Sequence, residues 1–154
     1  MLHIAADQFI DAPVHEVYDR VCARYFTYQP IWDPAIIEMV PENGDEIAVG
    51  TRARVSRTSR RKTELGQSEI ITIVPGTSLL VENRYPKNRE VRLIACHQLN
   101  GGGTRLHVEI TSDVGAVANI IAPLTTNLLE RALAISLREV KLAIENEIFP
   151  DTAT

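Results

Sequence analysis

The apolar positions change period as the chain proceeds. Leu2–Ile10 (LHIAADQFI) reads as a strand, and Asp11-Ala12-Pro13 closes it and opens a helix. Asp11 or Ala12 can take the N-cap, and Pro13 then falls in the first turn, where its missing N–H is no loss. Val14, Val17, Tyr18, Val21 and Cys22 follow at helical spacing with Glu16, Asp19 and Arg20 off the stripe, so a helix is predicted to about Arg24. The next stretch, YFTYQPIWDP at 25–34, holds four of the chain's eight aromatic residues (Tyr25, Phe26, Tyr28 and Trp32) together with Pro30 and Pro34. Prolines this close break helices and strand ladders, so the stretch is predicted to be a loop. Aromatic side chains carry a large apolar payload, and a loop rich in them must cover something.

Between 36 and 112 the runs are short, rich in β-branched residues and separated by the turn signals PENGDE, SRRKTELG, VPGT, YPKN and NGGG. Strands are predicted near 36–41, 51–60, 64–74, 79–85, 90–99 and 104–112. Short connections make them an antiparallel meander, and the first strand brings the sheet to seven. In the last third, Val117, Ile121, Leu124, Leu128, Leu133, Leu137, Val140, Ile144 and Ile148 recur every three to five residues. That spacing predicts one amphipathic helix of roughly thirty residues, about 45 Å long. Pro123 is expected to kink it or restart it near Ile121.

The predicted fold is α+β: a seven-stranded curved antiparallel sheet wrapped around a long C-terminal helix, with one or two short helices between strands 1 and 2. Only one element is long enough to cover the sheet, and one helix cannot fill a wide concave surface. The space between them is the candidate site. Residues 1–148 are expected to form a single domain and 149–154 a short tail.

Composition narrows the class. With 154 residues, 45% of them hydrophobic and 23% charged, the chain can bury a real core and is not of disordered type. A net charge of −4 argues against capture by nucleic acid. Cys22 and Cys96 have no metal-type spacing and are too few for a disulfide scaffold, which reads as two reduced, buried thiols of a cytoplasmic protein. MLHIAADQFIDAP lacks the basic region, apolar run and cleavage site of a signal peptide. No run of eighteen apolar residues occurs, so no membrane span is expected.

Four segments occur in a recognisable order: FIDAPVHEVYDRV at 9–21, WDPAIIEM at 32–39, GTRARV at 50–55 and GGGTRLHVEI at 101–110. With the long C-terminal helix they resemble the START-like, SRPBCC superfamily, most closely its polyketide cyclase/dehydrase-like branch, over nearly the whole chain. The resemblance implies a helix-grip fold with a hydrophobic cavity between sheet and helix. It further implies binding of a lipid, polyketide, hormone or quinone and, in some members, cyclisation or dehydration. The superfamily has no universal catalytic motif, so activity does not follow from the fold.

Alternation along the strands nominates inward side chains. A four-residue loop at 100–103 places Leu106, Val108 and Ile110 on one face with Leu99, His97, Ala95 and Leu93. A slip of one residue would bring Gln98, Cys96 and Ile94 inward instead. The first register buries more apolar surface and is the expectation. Ala53, Val55 and Arg57 point inward on one strand, Gln67, Glu69, Ile71 and Ile73 on a second, and Leu79, Val81, Asn83 and Tyr85 on a third. The candidate ligand-binding residues are Tyr28, Trp32, Val55, Arg57, Glu69, Ile71, Asn83, Tyr85, Leu93, His97, Leu124 and Leu128. His97 is the candidate general base, with Glu69 its charge partner or an independent acid. The alternatives are a core histidine bonded to a neighbour and an outward-facing carboxylate.

His3, His15 and His107 lie on different elements without ligand spacing, so no metal is expected, nor any cofactor. GGGT at 101–104 is a hairpin turn rather than a phosphate cradle, because no helix follows it. Residues 51–62 concentrate six basic side chains, Arg52, Arg54, Arg57, Arg60, Arg61 and Lys62. These form either a patch for anionic lipid or RNA, or a solvated hairpin whose charges discourage edge pairing. A homodimer through the sheet edge or the helix is compatible with the pattern, which does not require one. Three functions follow: a carrier of a small apolar molecule, a cyclase/dehydrase-type enzyme without metal, and an interaction protein using the basic hairpin. The aromatic stretch is either a plug closing one end of the core or a gate that touches ligand.

Overall fold

The computed structural model describes residues 2–44, 46–59, 61–113 and 115–146, with residues 115–125 described by their backbone alone. The tail expected at 149–154 lies outside the described residues. Seven strands run β1 (Leu2–Ile10), β2 (Ile36–Pro41), β3 (Arg52–Ser59), β4 (Lys62–Val74), β5 (Ser78–Arg84), β6 (Arg89–Gln98) and β7 (Thr104–Asp113). They form one antiparallel sheet in the order β1-β7-β6-β5-β4-β3-β2. The first two strands in sequence are therefore the two edges of the sheet. Their connection must cross its whole width, and it does so on the face that carries the core.

That connection is helical throughout: α1 (Val14–Tyr18), a π-helical turn (Asp19–Ala23) and α2 (Tyr25–Trp32). The aromatic stretch is therefore not the predicted loop. Pro30 sits inside α2, where the lost backbone hydrogen bond and the crowding of its ring against the preceding turn cost about 3 kcal/mol. Against that, Tyr25, Phe26, Tyr28 and Trp32 are all buried, and each buried aromatic contributes about 1.5–3 kcal/mol. Packing wins, and the residues form a helix because that geometry lets one short segment aim four rings at the core.

The long helix α3 (Gly115–Glu145) packs chiefly against β1 and lies over the concave face. Leu133, Leu137, Val140 and Ile144 are buried along it at the predicted spacing. Leu128 departs from that stripe and is 66% exposed. The side chains around Pro123, including Leu124, lie outside the described set, as does Ile148.

Two register details override the alternation read from sequence. In β4, Ser68 and Ile70 are fully buried, and a bulge at Ile71 then returns Ile73 to the core side, opposite Leu79. Gln67, Glu69 and Ile71 therefore do not face the core. The β6–β7 turn spans five residues, 99–103, with Gly101 and Gly102 at φ 101° and 98°. Gln98 thus pairs with Thr104, and Arg92, Ile94 and Cys96 stand opposite Ile110, Val108 and Leu106. His97 pairs with Arg105, and Leu93 with Glu109, on the outer face. The cause is local. Thr104 is fully buried and donates its hydroxyl to Ala12 O at 2.8 Å, which fixes the last turn residue as Gly103. A β-carbon on Gly103 would meet the Phe9 ring at 2.5 Å, so the close approach needs glycine here.

Candidate ligand cavity

Because α3 rests on the β1 side while the sheet curves away, a cavity of about 910 Å³ remains between them. Its body is apolar, walled by Ile4, Ile94, Leu106 and Val108 from the sheet and by Leu133, Leu137 and Val140 from α3. Trp32 and Ile36 close it toward β2. A polar cluster, Asp33, Arg57, Tyr85, Asn88, Glu90 and Arg92, reaches the wall at one end, and α3 adds Ser136 and Glu139.

Two arginines organise this end. Arg57 donates through Nε and Nη2 to Glu64 Oε2 at 3.0 and 2.9 Å, and through Nη2 to Asn88 Oδ1 at 2.7 Å. Its guanidinium lies 3.3 Å above the centroid of the Tyr85 ring. Gly66 makes room for that ring: a β-carbon there would stand 2.5 Å from Tyr85 Cδ1 and 2.5 Å from Arg84 O. Arg92 is more deeply placed, with its side chain 11% exposed. It reaches Asp33 Oδ2 at 3.5 Å and Glu90 Oε1 at 3.4 Å, both long, and its Nε has no partner among the described residues. Burial disfavours its charge, but the oxygens of Tyr25, Glu90 and Asp33 more than restore it, so the pKa is raised above the usual arginine value.

The carboxylates are themselves held. Asn83 donates to Glu90 Oε1 at 2.8 Å, and Gln29 donates to Asp33 Oδ2 at 3.2 Å. Asp33 Oδ1 accepts from the backbone N–H of Ala35 at 3.0 Å, which turns the chain out of α2. Trp32 Nε1 donates to Gln29 Oε1 at 3.1 Å, and its ring stacks on Tyr28 at 5.9 Å and 9°. Tyr28 in turn accepts from Arg20 at 2.7 Å and Arg24 at 3.2 Å on the side away from the cavity. Burial pushes the Tyr25 hydroxyl up to about 12 and raises Tyr85 further. Both tyrosines therefore stay protonated, as donors.

The structure brings Trp32, Arg57 and Tyr85 to the cavity wall, with Asn83 immediately behind through Glu90. Val55 is buried in the sheet core but is not a wall residue, and Tyr28 backs Trp32 rather than the cavity. Glu69 is on the outer surface, paired with Arg52 at 2.7 Å, and Leu93 and His97 share the outer face of β6. His97 and Glu69 therefore do not form the acid–base pair expected from alternation. Leu128 is exposed, and its neighbour Leu129 lines the cavity instead. Of the basic residues at 51–62, Arg57 is turned inward and Arg52 is paired across the strands, so the run is not one continuous patch. Sequence reasoning missed Asp33, Asn88, Glu90 and Arg92. Their signal was present: Glu90 and Arg92 alternate with Ile94 and Cys96 on the register that a preference for apolar burial sets aside.

Among the described residues no group of three or more His, Cys, Asp or Glu side chains is placed to hold a metal ion. No helix among them is long and apolar enough to cross a membrane. Cys22 and Cys96 are both buried and unpaired thiols.

The architecture defines a class: a helix-grip fold, in which a curved antiparallel sheet and a long helix leave a largely apolar cavity between them. A scan against protein-family models and a search of the curated proteins both find no match. Solved structures do match. The chain is similar to the START superfamily protein from Mycobacterium smegmatis, with a TM-score of 0.70, 13% identity, and 94% of this chain and 99% of that one covered. It is similar to DR_A0006 from Deinococcus radiodurans, with a TM-score of 0.72, 14% identity and coverage of 96% and 99%. It is also similar to TTHA0849 from Thermus thermophilus, with a TM-score of 0.70, 15% identity and coverage of 94% and 98%. At these identities the likeness establishes the fold and nothing finer.

Proposed function

We propose that the protein binds a small hydrophobic molecule, of lipid, polyketide, quinone or aromatic type, between the sheet and α3. The observation that carries this reading is the cavity of about 910 Å³, whose walls are mostly apolar, with a cluster of polar groups at one end. That size and lining suit a ligand that buries most of its surface and is oriented by a few polar groups. The START-like fold supports the same reading, since its cavity lies in the same place between sheet and helix. Two reduced thiols in the core support a cytoplasmic setting.

A second reading, a cyclase/dehydrase-type enzyme without metal, draws support from a separate observation. Asp33, Glu90, Arg92 and Tyr85 converge on one end of the cavity, and an enzyme needs several titratable groups there. In that case Glu90 or Asp33 is the proton acceptor and Arg92 the group that polarises an oxygen. The interaction-protein reading is weakened by the pairing of Arg52 and Arg57 within their own hairpin.

Native mass spectrometry of the protein isolated from its own cells tests the binding reading. A bound mass released on unfolding is the expected result. An unliganded protein whose cavity also fails to take up Nile red would reject it.

A further inference from the structure

The polar end of the cavity carries a charge pattern that restricts the occupant. Arg57 is firmly held: Glu64 engages it through two nitrogens, Asn88 takes a third hydrogen bond at 2.7 Å, and Tyr85 covers its face. Arg92 is not. A guanidinium has five N–H donors, and the described residues offer this one two long contacts, at 3.4 and 3.5 Å, and none to Nε. The Arg92 side chain lines the cavity and keeps 11% exposure, so an oxygen brought to this wall by a ligand can take up an Nη donor that these long contacts leave underused. Two carboxylates, Asp33 and Glu90, already face the single positive charge of Arg92. With the charge of Arg57 already matched by Glu64, a ligand carboxylate would be a third anion around Arg92 in a site of low polarity, and like charges so placed repel strongly. An uncharged oxygen meets the need for an acceptor without that penalty, and a hydroxyl can also donate to Glu90 or Asp33.

We infer that the cavity selects apolar molecules bearing an uncharged oxygen, a hydroxyl or a carbonyl, and rejects the corresponding carboxylic acids. Arg92 supplies the donor, and Glu90 and Asp33 supply the discrimination. This rests on the binding reading above and adds the headgroup chemistry to it.

The test is displacement of Nile red by four matched compounds: fluorene, fluoren-9-ol, fluoren-9-one and fluorene-9-carboxylate. The alcohol, the ketone or both should displace at concentrations about tenfold or more below those needed for fluorene and the carboxylate, the effect of one hydrogen bond to a charged group. If only one of the two does, it identifies the oxygen type. In Glu90→Gln, which keeps the acceptor for Asn83 but removes a negative charge, the affinity for the carboxylate relative to fluorene should rise about tenfold. Arg92→Lys, which keeps the charge balance, should lose the preference for the oxygenated compounds while still binding fluorene. Circular dichroism of each variant establishes that it is folded. Binding of the carboxylate as tightly as the alcohol and ketone by the unaltered protein overturns the inference and leaves the binding reading standing. Equal affinity for fluorene and its oxygenated forms does the same. Failure of Nile red and all four compounds to bind rejects both.

Discussion

Asp33 and Arg92 meet at 3.5 Å although 59 positions separate them in the chain. The contact joins the end of α2 to the middle of β6, and through Gln29 and Trp32 it continues into the aromatic cluster. The helix that two prolines argue against is thus tied to the polar end of the cavity. Arg92→Ala leaves Asp33 and Glu90 buried without their cation and should cost about 3–5 kcal/mol in urea unfolding. Asp33→Asn keeps the bond to Ala35 N and leaves Arg92 with Glu90, so about 1–2 kcal/mol is expected. Equal effects of the two substitutions would show that the network is not organised around Arg92.

Gly66 is required by packing rather than by its backbone angles. Gly66→Ala would push a methyl group into the Tyr85 ring and the Arg84 carbonyl. A loss of about 1–3 kcal/mol is expected. The displaced ring should also release Arg57, so a double variant with Tyr85→Ala should show less than additive loss. Full additivity in chemical denaturation would separate the two sites.

His97, the sharpest candidate from sequence, stands on the outer face of β6 opposite Arg105. His97→Gln should leave Nile red affinity unchanged and shift stability by no more than about 0.5 kcal/mol. A large fall in ligand affinity would place the binding site on the convex face, against everything the cavity suggests.

On the outer face, His107 sits between two carboxylates. His107 lies 2.8 Å from Asp7 Oδ1 and 3.2 Å from Glu109 Oε1. Partial burial lowers its pKa, but hydrogen bonds to Glu109 and Asp7 outweigh that and raise it above the usual 6.5. A pKa raised on folding stabilises fully below the unfolded value, and the stabilisation is lost as pH rises through the folded value. His107→Gln should therefore be less stable than the unaltered protein at about pH 5.5 and closely matched to it at about pH 9. A stability difference that does not change with pH would mean that the imidazole titrates alike in the folded and unfolded chains.

Trp32 is the chain's single tryptophan, and it lines the cavity while stacked on Tyr28. Entry of dodecan-1-ol should shift or quench its emission if α2 acts as a gate touching ligand. Tight binding by calorimetry with constant emission would identify α2 as a plug.

The periodicities that the sequence displays are those that burial enforces over many residues. Period two between 36 and 112 and the stripe Leu133, Leu137, Val140 and Ile144 determine the strands, the C-terminal helix and their order, because many apolar side chains agree on each. From that order the curved sheet and the cavity follow. The inward set Leu79, Val81 and Asn83 on β5, with Tyr85 just beyond its end, is also legible, since no bulge interrupts β5 itself.

Which side chains meet in the cavity was decided by single tertiary contacts. Thr104 bonded to Ala12 makes the β6–β7 turn five residues long, and that one residue exchanges His97 and Leu93 for Arg92 and Ile94. The bulge at Ile71 does the same for Glu69 and Ser68. In α2, burial of four aromatic rings outweighs the hydrogen bond that Pro30 omits. Local pattern determines what kind of element forms, because it sums over many side chains. Register and the ends of elements hang on one or two contacts between distant residues, and only the folded chain brings those residues together.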